Sequence, residues 1–227
     1  MPIRYWIFII FTLCLVGFVG YGVFMTNRLL RTWQPDRNLL LVPAENGLRV
    51  VLIGVCLLLG LISGLGRAQL GWVFANVNYQ LLLGGLWGGG LALFFYGTTR
   101  WVMQRGGERF YSTVIIKAVV PHNPREFFLV SLAMLSVVAL EELLFRSLLL
   151  GGLTPVLPGF LLVLVGGLLF GLMHAPQGIW GMIGAAAAGM LLGWLFLWEG
   201  SLLAPLVAHY IANLVQIGQA MRLREQL

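Results

Sequence analysis

The sequence predicts an all-α protein, a polytopic transmembrane helical bundle of about seven membrane-spanning helices, and three observations carry that prediction. Apolar runs recur along the chain at the length a bilayer requires. Charged residues make up only 10% of the 227 positions while hydrophobic ones make up 59%. The basic residues gather on alternate connections between the runs. An ordinary soluble domain carries roughly 25% charged residues, so the composition points to an integral membrane protein. A hydrocarbon layer of ~30 Å takes about 20 residues of helix. Inside it every backbone N–H and C=O must be paired within the protein, which makes long leucine-rich runs helices.

The candidate spans lie near 5–25, 48–66, 78–98, 127–150, 157–175, 179–198 and 201–220. The first has too long an apolar core for a secretion signal and no small-residue cleavage site after it, so it reads as a membrane anchor. The third is the least defined, because 69–98 fits one long helix or a short interfacial piece followed by a span. Gly84, Gly85, Gly88 and Gly89 in the third run, and Ala185, Gly189 and Gly193 in the sixth, have the spacing that lets another helix approach closely. Trp72, Trp101, Trp180 and Trp198 fall near span ends, where indole rings anchor at an interface. Cys14 and Cys56 fall inside spans and read as apolar filler. Between the third and fourth spans, 104–108 reads as a solvated turn, 110–120 as an interfacial helix or strand, and His122 as a solvated loop histidine. Glu199, at a turn between spans, also reads as solvated.

The net charge of +6 does not mark a nucleic-acid binder, because of where the charges sit. Arg28, Arg31, Arg37 and Arg49 lie between the first two spans. Arg100, Arg105, Arg109, Lys117 and Arg125 lie between the third and fourth, and Arg222 and Arg224 are in the tail. Seven spans put all of these on one side and leave only Arg4 and Arg67 on the other. That asymmetry predicts an outside N-terminus and a cytoplasmic C-terminus, with the basic loops lying against anionic headgroups.

Within the fourth span, 139-ALEELLFRSLLL-150 holds three charges in an otherwise apolar run. A charged side chain at the centre of a membrane helix costs roughly 2.5–3.5 kcal/mol on insertion scales, so the three are expected to neutralise one another. Glu142 and Arg146 are four apart with the acid first, the favourable order for a pair on one face. Glu141 is rotated about 100° from Glu142 and cannot lie over the same arginine equally well. One glutamate is paired and the other is left over. Desolvation and a neighbouring like charge both strengthen a carboxylate as a base, which suits such an acid to general-base work. The pair itself reads more simply as a tie between helices.

Two other hydrophobic helices contribute polar groups. In 169-LFGLMHAP-176, Phe170 and His174 share a face and Pro176 with Gly178 marks the helix end. In 206-LVAHYIANLV-215, His209 and Asn213 are again four apart. A lone histidine on an apolar helix is usually a hydrogen-bonded core residue; two histidines, an asparagine and two glutamates from three hydrophobic helices form a constellation that points to a site. Asn213 alone fits interhelical hydrogen bonding or catalysis equally well. One mismatch of depth remains at this stage: Glu141 falls near mid-membrane or beyond, whereas His174 falls near the cytoplasmic end of its helix.

The order Glu-Glu-x-x-x-Arg at 141–146, Phe-x-x-x-His at 170–174 and His-x-x-x-Asn at 209–213 resembles the CPBP family, the CAAX proteases and bacteriocin-processing enzymes also called the Abi family. Each motif fixes only two or three positions; their order on successive hydrophobic helices is what is specific. The resemblance covers about 125–220, and the first three spans match only in being hydrophobic. Ser147 follows the arginine where small residues such as glycine are frequent in the family.

The resemblance implies an intramembrane endopeptidase that cleaves a peptide bond near the membrane surface. Carried onto this chain, Glu141 activates the attacking water, His174 holds or shares it, and His209 and Asn213 donate to the oxyanion. Glu142 and Arg146, with Phe170, support the site. It also implies residues 1–126 as accessory helices and basic loops and 127–220 as the catalytic helical core, within one integrated membrane domain. Family members are often described as metalloproteases. If a divalent metal such as zinc takes part, Glu141, His174 and His209 are its candidate ligands; the chain has no His-Glu-x-x-His pair, and a glutamate-activated water would use the same residues with no ion. The partners implied are the lipid bilayer and a peptide or protein substrate such as a C-terminal tail or leader peptide. Two alternatives stand beside this reading. One is a nonenzymatic family member, such as a bacteriocin self-immunity or membrane scaffold protein; the other is a transporter or proton relay working through Glu141 and His174.

Overall fold

The computed structural model describes residues 1–33, 35–105 and 118–224. Arg109, Lys117 and most of the 104–120 connection lie outside the described residues, as does the expectation of an interfacial helix or strand there. Every candidate apolar run is helical. The helices are α1 (Ile3–Leu29), α2 (Pro43–Ser63), α3 (Val77–Gln104), α4 (Pro124–Glu142, continuing as a π-helix over Leu143–Gly151), α5 (Gly159–Leu172), α6 (Ile179–Glu199) and α7 (Leu203–Arg224).

Among the described residues, five of these are long and apolar enough to cross a membrane: α1, α2, α3, α4 with its π extension, and α6. The expectation of about seven spans is therefore met by seven helices of unequal reach. At 14 residues, α5 rises only about 21 Å at 1.5 Å per residue, short of a ~30 Å layer. The composition of α7 includes His209, Asn213, Gln216, Gln219 and Arg222, which makes it too polar to read as a span by hydropathy.

Local sequence sets the helix ends. At the start of α4, the Asn123 side chain accepts from the Glu126 N–H at 2.9 Å while Glu126 accepts from the His122 N–H at 2.8 Å, and Pro124 fills the first turn where no N–H is needed. Pro43 plays the same part in α2, and α2 stops at Gly64, whose φ of 75° is left-handed. The doubtful 69–98 stretch resolves into a turn at 67–71 and one helix from Val77.

The π-helical segment is the centre of the bundle. Every residue from Leu144 to Gly151 is buried, Arg146 and Ser147 among the leucines. Packed with it are Tyr5 and Phe8 of α1, Cys56 and Leu59 of α2, Leu162, Val163 and Phe170 of α5, and Phe196 of α6. Residues before and after 126 thus share one core. Polar ties reinforce it. The Tyr5 hydroxyl donates to the Gly152 carbonyl at 2.9 Å, and the Ser147 hydroxyl donates to the Leu70 carbonyl at 2.8 Å. The Leu202 N–H donates to the Gly71 carbonyl at 3.0 Å. The turn around Leu70 is therefore folded into the bundle, and Trp72 goes with it to pack under Gly60 instead of sitting free at an interface. Glu199 is half-buried and accepts from the Gln80 amide at 2.8 Å, so it too is less solvated than its turn position suggested.

The glycines of α3 divide between two faces. A Cβ on Gly84 or Gly88 would lie 2.8 Å from the Ala204 or Ala208 carbonyl oxygen of α7, whereas one on Gly85 or Gly89 would meet nothing within 4 Å. Gly88→Ala is expected to cost about 1–3 kcal/mol through overpacking against backbone, seen as a fall in the thermal midpoint of the detergent-solubilised protein. Gly85→Ala should hold or raise that midpoint, because it adds helix propensity without a clash.

Candidate active site

The fourth helix presents Glu141 and Glu142 at the last turn before its π extension, and the two have different surroundings. Glu142 is fully buried, and its Oε1 lies 3.0 Å from Nη1 of Arg146, which is 2% exposed. Arg146 Nη2 also donates to the Gly189 carbonyl of α6 at 3.3 Å, and its guanidinium stands 4.9 Å from the centre of the Phe170 ring, a cation–π contact. Glu141 makes no contact with Arg146 among those the structure shows and is 26% exposed. The pairing expected from the i, i+4 order forms, and it is Glu142 that makes it.

Both carboxylates meet at His209 of α7. Nδ1 lies 2.8 Å from Glu142 Oε1, and Nε2 lies 3.4 Å from Glu141 Oε2. Glu142 is already ion-paired and can only accept, so the Nδ1 proton belongs to that bond. Nε2 of the neutral ring then carries a lone pair toward a carboxylate oxygen that also carries lone pairs. A proton between the two, on one of them or on a water bridging them, is what makes the contact favourable.

His174 joins the cluster through Phe170. Its Nδ1 donates to the Phe170 carbonyl at 2.7 Å, leaving Nε2 to accept. Its ring lies 4.5 Å from the Phe170 ring, which also packs edge-on against His209 at 5.6 Å and Phe145 at 5.1 Å. The mismatch of depth read from the sequence closes because α5 is short: its last turn ends within the bundle, at the level of Arg146 and His209. Asn213, one turn beyond His209, is directed at Met134 of α4, with Nδ2 3.6 Å from Sδ. It contacts neither glutamate.

Several contributors were not singled out from the sequence. Gly171 lets α5 and α6 touch, since a Cβ there would lie 2.6 Å from the Met182 carbonyl oxygen; its i, i+4 spacing from Gly167 is a signal that could have found it. Arg49 is the larger omission. Grouped with the loop charges by sequence, it lies in the second turn of α2, 16% exposed, with the charges of Glu45 and Glu141 within its range. Its place on the inward stripe with Leu52, Ile53 and Cys56 was legible as an i, i+3, i+4, i+7 pattern.

Among the described residues no group of three His, Cys, Asp or Glu side chains is arranged to hold a metal ion. Glu141 and His209 could offer two donors, with Glu142 bracing the ring from behind. His174 uses Nδ1 on a backbone carbonyl and is not brought to the same point. Among the described residues the donors do not fit a three-ligand zinc site as placed.

Fold and site together define a polytopic helical membrane protein whose interior holds a carboxylate–arginine pair, a second carboxylate and two histidines. Residues 123–215 match the family model described as type II CAAX prenyl endopeptidase Rce1-like, in agreement with the resemblance that the chain's motifs carry. No curated protein and no solved structure matches the chain.

The ion pair gives a direct test. Arg146→Met leaves Glu142 buried without a cation, which typically costs about 3–5 kcal/mol. Arg146→Met with Glu142→Leu removes both charges and should recover much of that loss in thermal unfolding.

Proposed function

We propose that the chain is an intramembrane endopeptidase in which Glu141 deprotonates the attacking water. The observation that carries this reading is the approach of Glu141 Oε2 to His209 Nε2 at 3.4 Å, with the far side of the same ring fixed by Glu142 at 2.8 Å. A carboxylate that faces a fixed imidazole and retains some exposure can hold a water and take its proton.

The water oxygen attacks the scissile carbonyl carbon and its proton passes to Glu141. The tetrahedral oxyanion is met by N–H donors: His209 through Nε2 when that nitrogen is protonated, and Asn213 through Nδ2. Leaving the thioether of Met134 costs Asn213 little, since sulfur is a weak acceptor. Donors preorganised in a water-poor pocket are each worth about 3 kcal/mol in the transition state. The C–N bond then breaks, and the proton held by Glu141 goes to the departing amine. His174, with its Nδ1 proton committed to Phe170, offers Nε2 to steady the water. Glu142 and Arg146 keep the His209 ring in place and touch no reacting atom. The substrate is a peptide reaching the pocket from the bilayer, and the charge asymmetry supports a cytoplasmic C-terminus.

Glu141→Gln keeps shape and hydrogen-bonding reach but removes the base. Purified protein in detergent is expected to lose at least about a hundredfold in peptide cleavage with its thermal midpoint preserved, and chelator treatment should leave wild-type turnover intact. Cleavage that persists in Glu141→Gln rejects the mechanism; cleavage abolished by chelator assigns the water to a metal.

A further inference from the structure

Apart from the carboxylate and histidine cluster, α3 and α6 flank an apolar groove of about 470 Å3, whose walls include Leu83, Leu86, Trp87, Gly90 and Phe94 of α3 and Leu191 of α6. None of the candidate catalytic side chains lines it. The volume falls within the ~300–1,000 Å3 of ligand-binding clefts. Two ties hold the walls antiparallel: the Gln80 amide donates to Glu199 at 2.8 Å, and Phe95 packs against Gly184, where a Cβ would lie 3.1 Å from its ring. Ala204 and Ala208 of α7, both fully buried, pack in one cluster with Leu91 and Leu192 and back the groove with protein. On the open side Leu86 and Phe94 are more than half exposed, and a Cβ on Gly90 would meet nothing within 4 Å. Both walls are long and apolar enough to cross a membrane, so the open side faces hydrocarbon.

The grooved face of α3 continues to the basic end of the helix. In steps of about three turns, after which helical positions nearly realign, Leu83 leads to Phe94 and Phe94 to Arg105, while Gly90 leads to Trp101. The Arg105 N–H donates to the Val102 carbonyl at 3.1 Å and carries the last turn on. Its exposed guanidinium lies 4.4 Å over the Trp101 ring. At the same end Arg100 donates to the Tyr96 hydroxyl at 3.2 Å. Aromatic rings followed by arginines mark the boundary between hydrocarbon and headgroups. Half of a ~30 Å layer is about ten residues of helix rise, and counted back from Trp101 it ends at Leu91, inside the groove. An acyl chain that starts beside Trp101 therefore reaches the concavity, with its phosphate level with the Arg105 fork. Apolar burial gains nothing within hydrocarbon, so close contact decides where a chain rests, and a groove supplies more of it than a convex helix face. We propose that the groove between α3 and α6 binds one anionic phospholipid, its acyl chain along Phe94 and Gly90 and its phosphate on Arg105. The proposal stands on packing and charge and is independent of the peptidase reading.

Native mass spectrometry of the purified full chain in detergent, titrated with dioleoyl phosphatidylglycerol or dioleoyl phosphatidylcholine, counts the bound lipid directly. The wild type is expected to hold one phosphatidylglycerol about five- to tenfold more tightly than phosphatidylcholine, the contribution of one arginine at headgroup level. Arg105→Gln should bring that ratio close to one. Gly90→Phe fills the groove from a position with open space and should weaken both lipids by about tenfold or more, with the lipid-free thermal midpoint preserved. Leu191→Trp fills it from the opposite wall and should act alike, which keeps the test decisive if Gly90→Phe fails to fold. Lipid retention unchanged by filling the groove overturns the proposal, as does a wild type that binds both lipids equally or a preference that survives in Arg105→Gln. Dimers of the wild type that vanish in the groove variants assign the concavity to a second copy of the chain and also overturn it.

Discussion

A carboxylate and a guanidinium that are both out of reach of water have to face each other, and Glu142 and Arg146 do so on adjacent turns of one helix, 3.0 Å apart. The contact fixes more than one helix. Glu142 Oε1 also accepts a hydrogen bond from Nδ1 of His209 in α7, while Arg146 reaches the Gly189 carbonyl of α6 and the Phe170 ring of α5. Four helices are held in register by one pair of charges. Apolar side chains could fill the same space, and a well-packed apolar replacement often matches or exceeds a buried ion pair in stability. What leucines could not supply is direction, because only a hydrogen-bond acceptor behind Nδ1 turns the other nitrogen of His209 toward Glu141.

The steric counterpart of that pair is Phe170. Its ring touches His174, His209, Phe145 and the Arg146 guanidinium, so its position governs how closely the two histidine-bearing elements approach. That position depends on α5 lying tight against α6, where Gly171 and Gly189 leave no room for a Cβ. It depends also on α5 ending just after Phe170, at Leu172. The π-helical turns after Glu142 serve the same end from α4: i→i+5 bonding widens the helix just where Leu70, Tyr5 and Phe196 crowd around Ser147, Gly151 and Gly152.

Much of this was readable from the chain. Apolar run length is a direct consequence of bilayer thickness, so all seven helices could be located. The i, i+4 order of Glu142 and Arg146 identified the pair because helical geometry alone brings the two together. Contacts between helices were less readable. That His209 stands between both glutamates, and that Asn213 is directed at Met134, depend on the rotation of α7 against α4, which no local pattern fixes. The π-helix was invisible because no local sequence pattern separates it from the α-helix it continues. Arg49 was misplaced for a different reason: α2 begins at Pro43, five residues before the apolar run does, so a charge in its second turn was grouped with the connecting loop.

That misplacement bears on which part of the chain makes the site. The family match begins at residue 123, and within the matched region the cluster holds the carboxylates of Glu141 and Glu142, the Arg146 guanidinium and the His209 ring between the two acids. Arg146 is engaged by Glu142, and Glu141, 26% exposed, has no arginine of the matched region beside it among the described residues. Arg49, outside the match, brings a second guanidinium near Glu141, shared with the closer carboxylate of Glu45. It does so without closing on Glu141 as an ion pair, which would have occupied the oxygen that faces His209. A cation at that remove offsets the charge of the acid and leaves its lone pairs free. α2, from the first half of the chain, therefore brings a guanidinium near the cluster as well as the apolar packing of Leu52, Ile53 and Cys56.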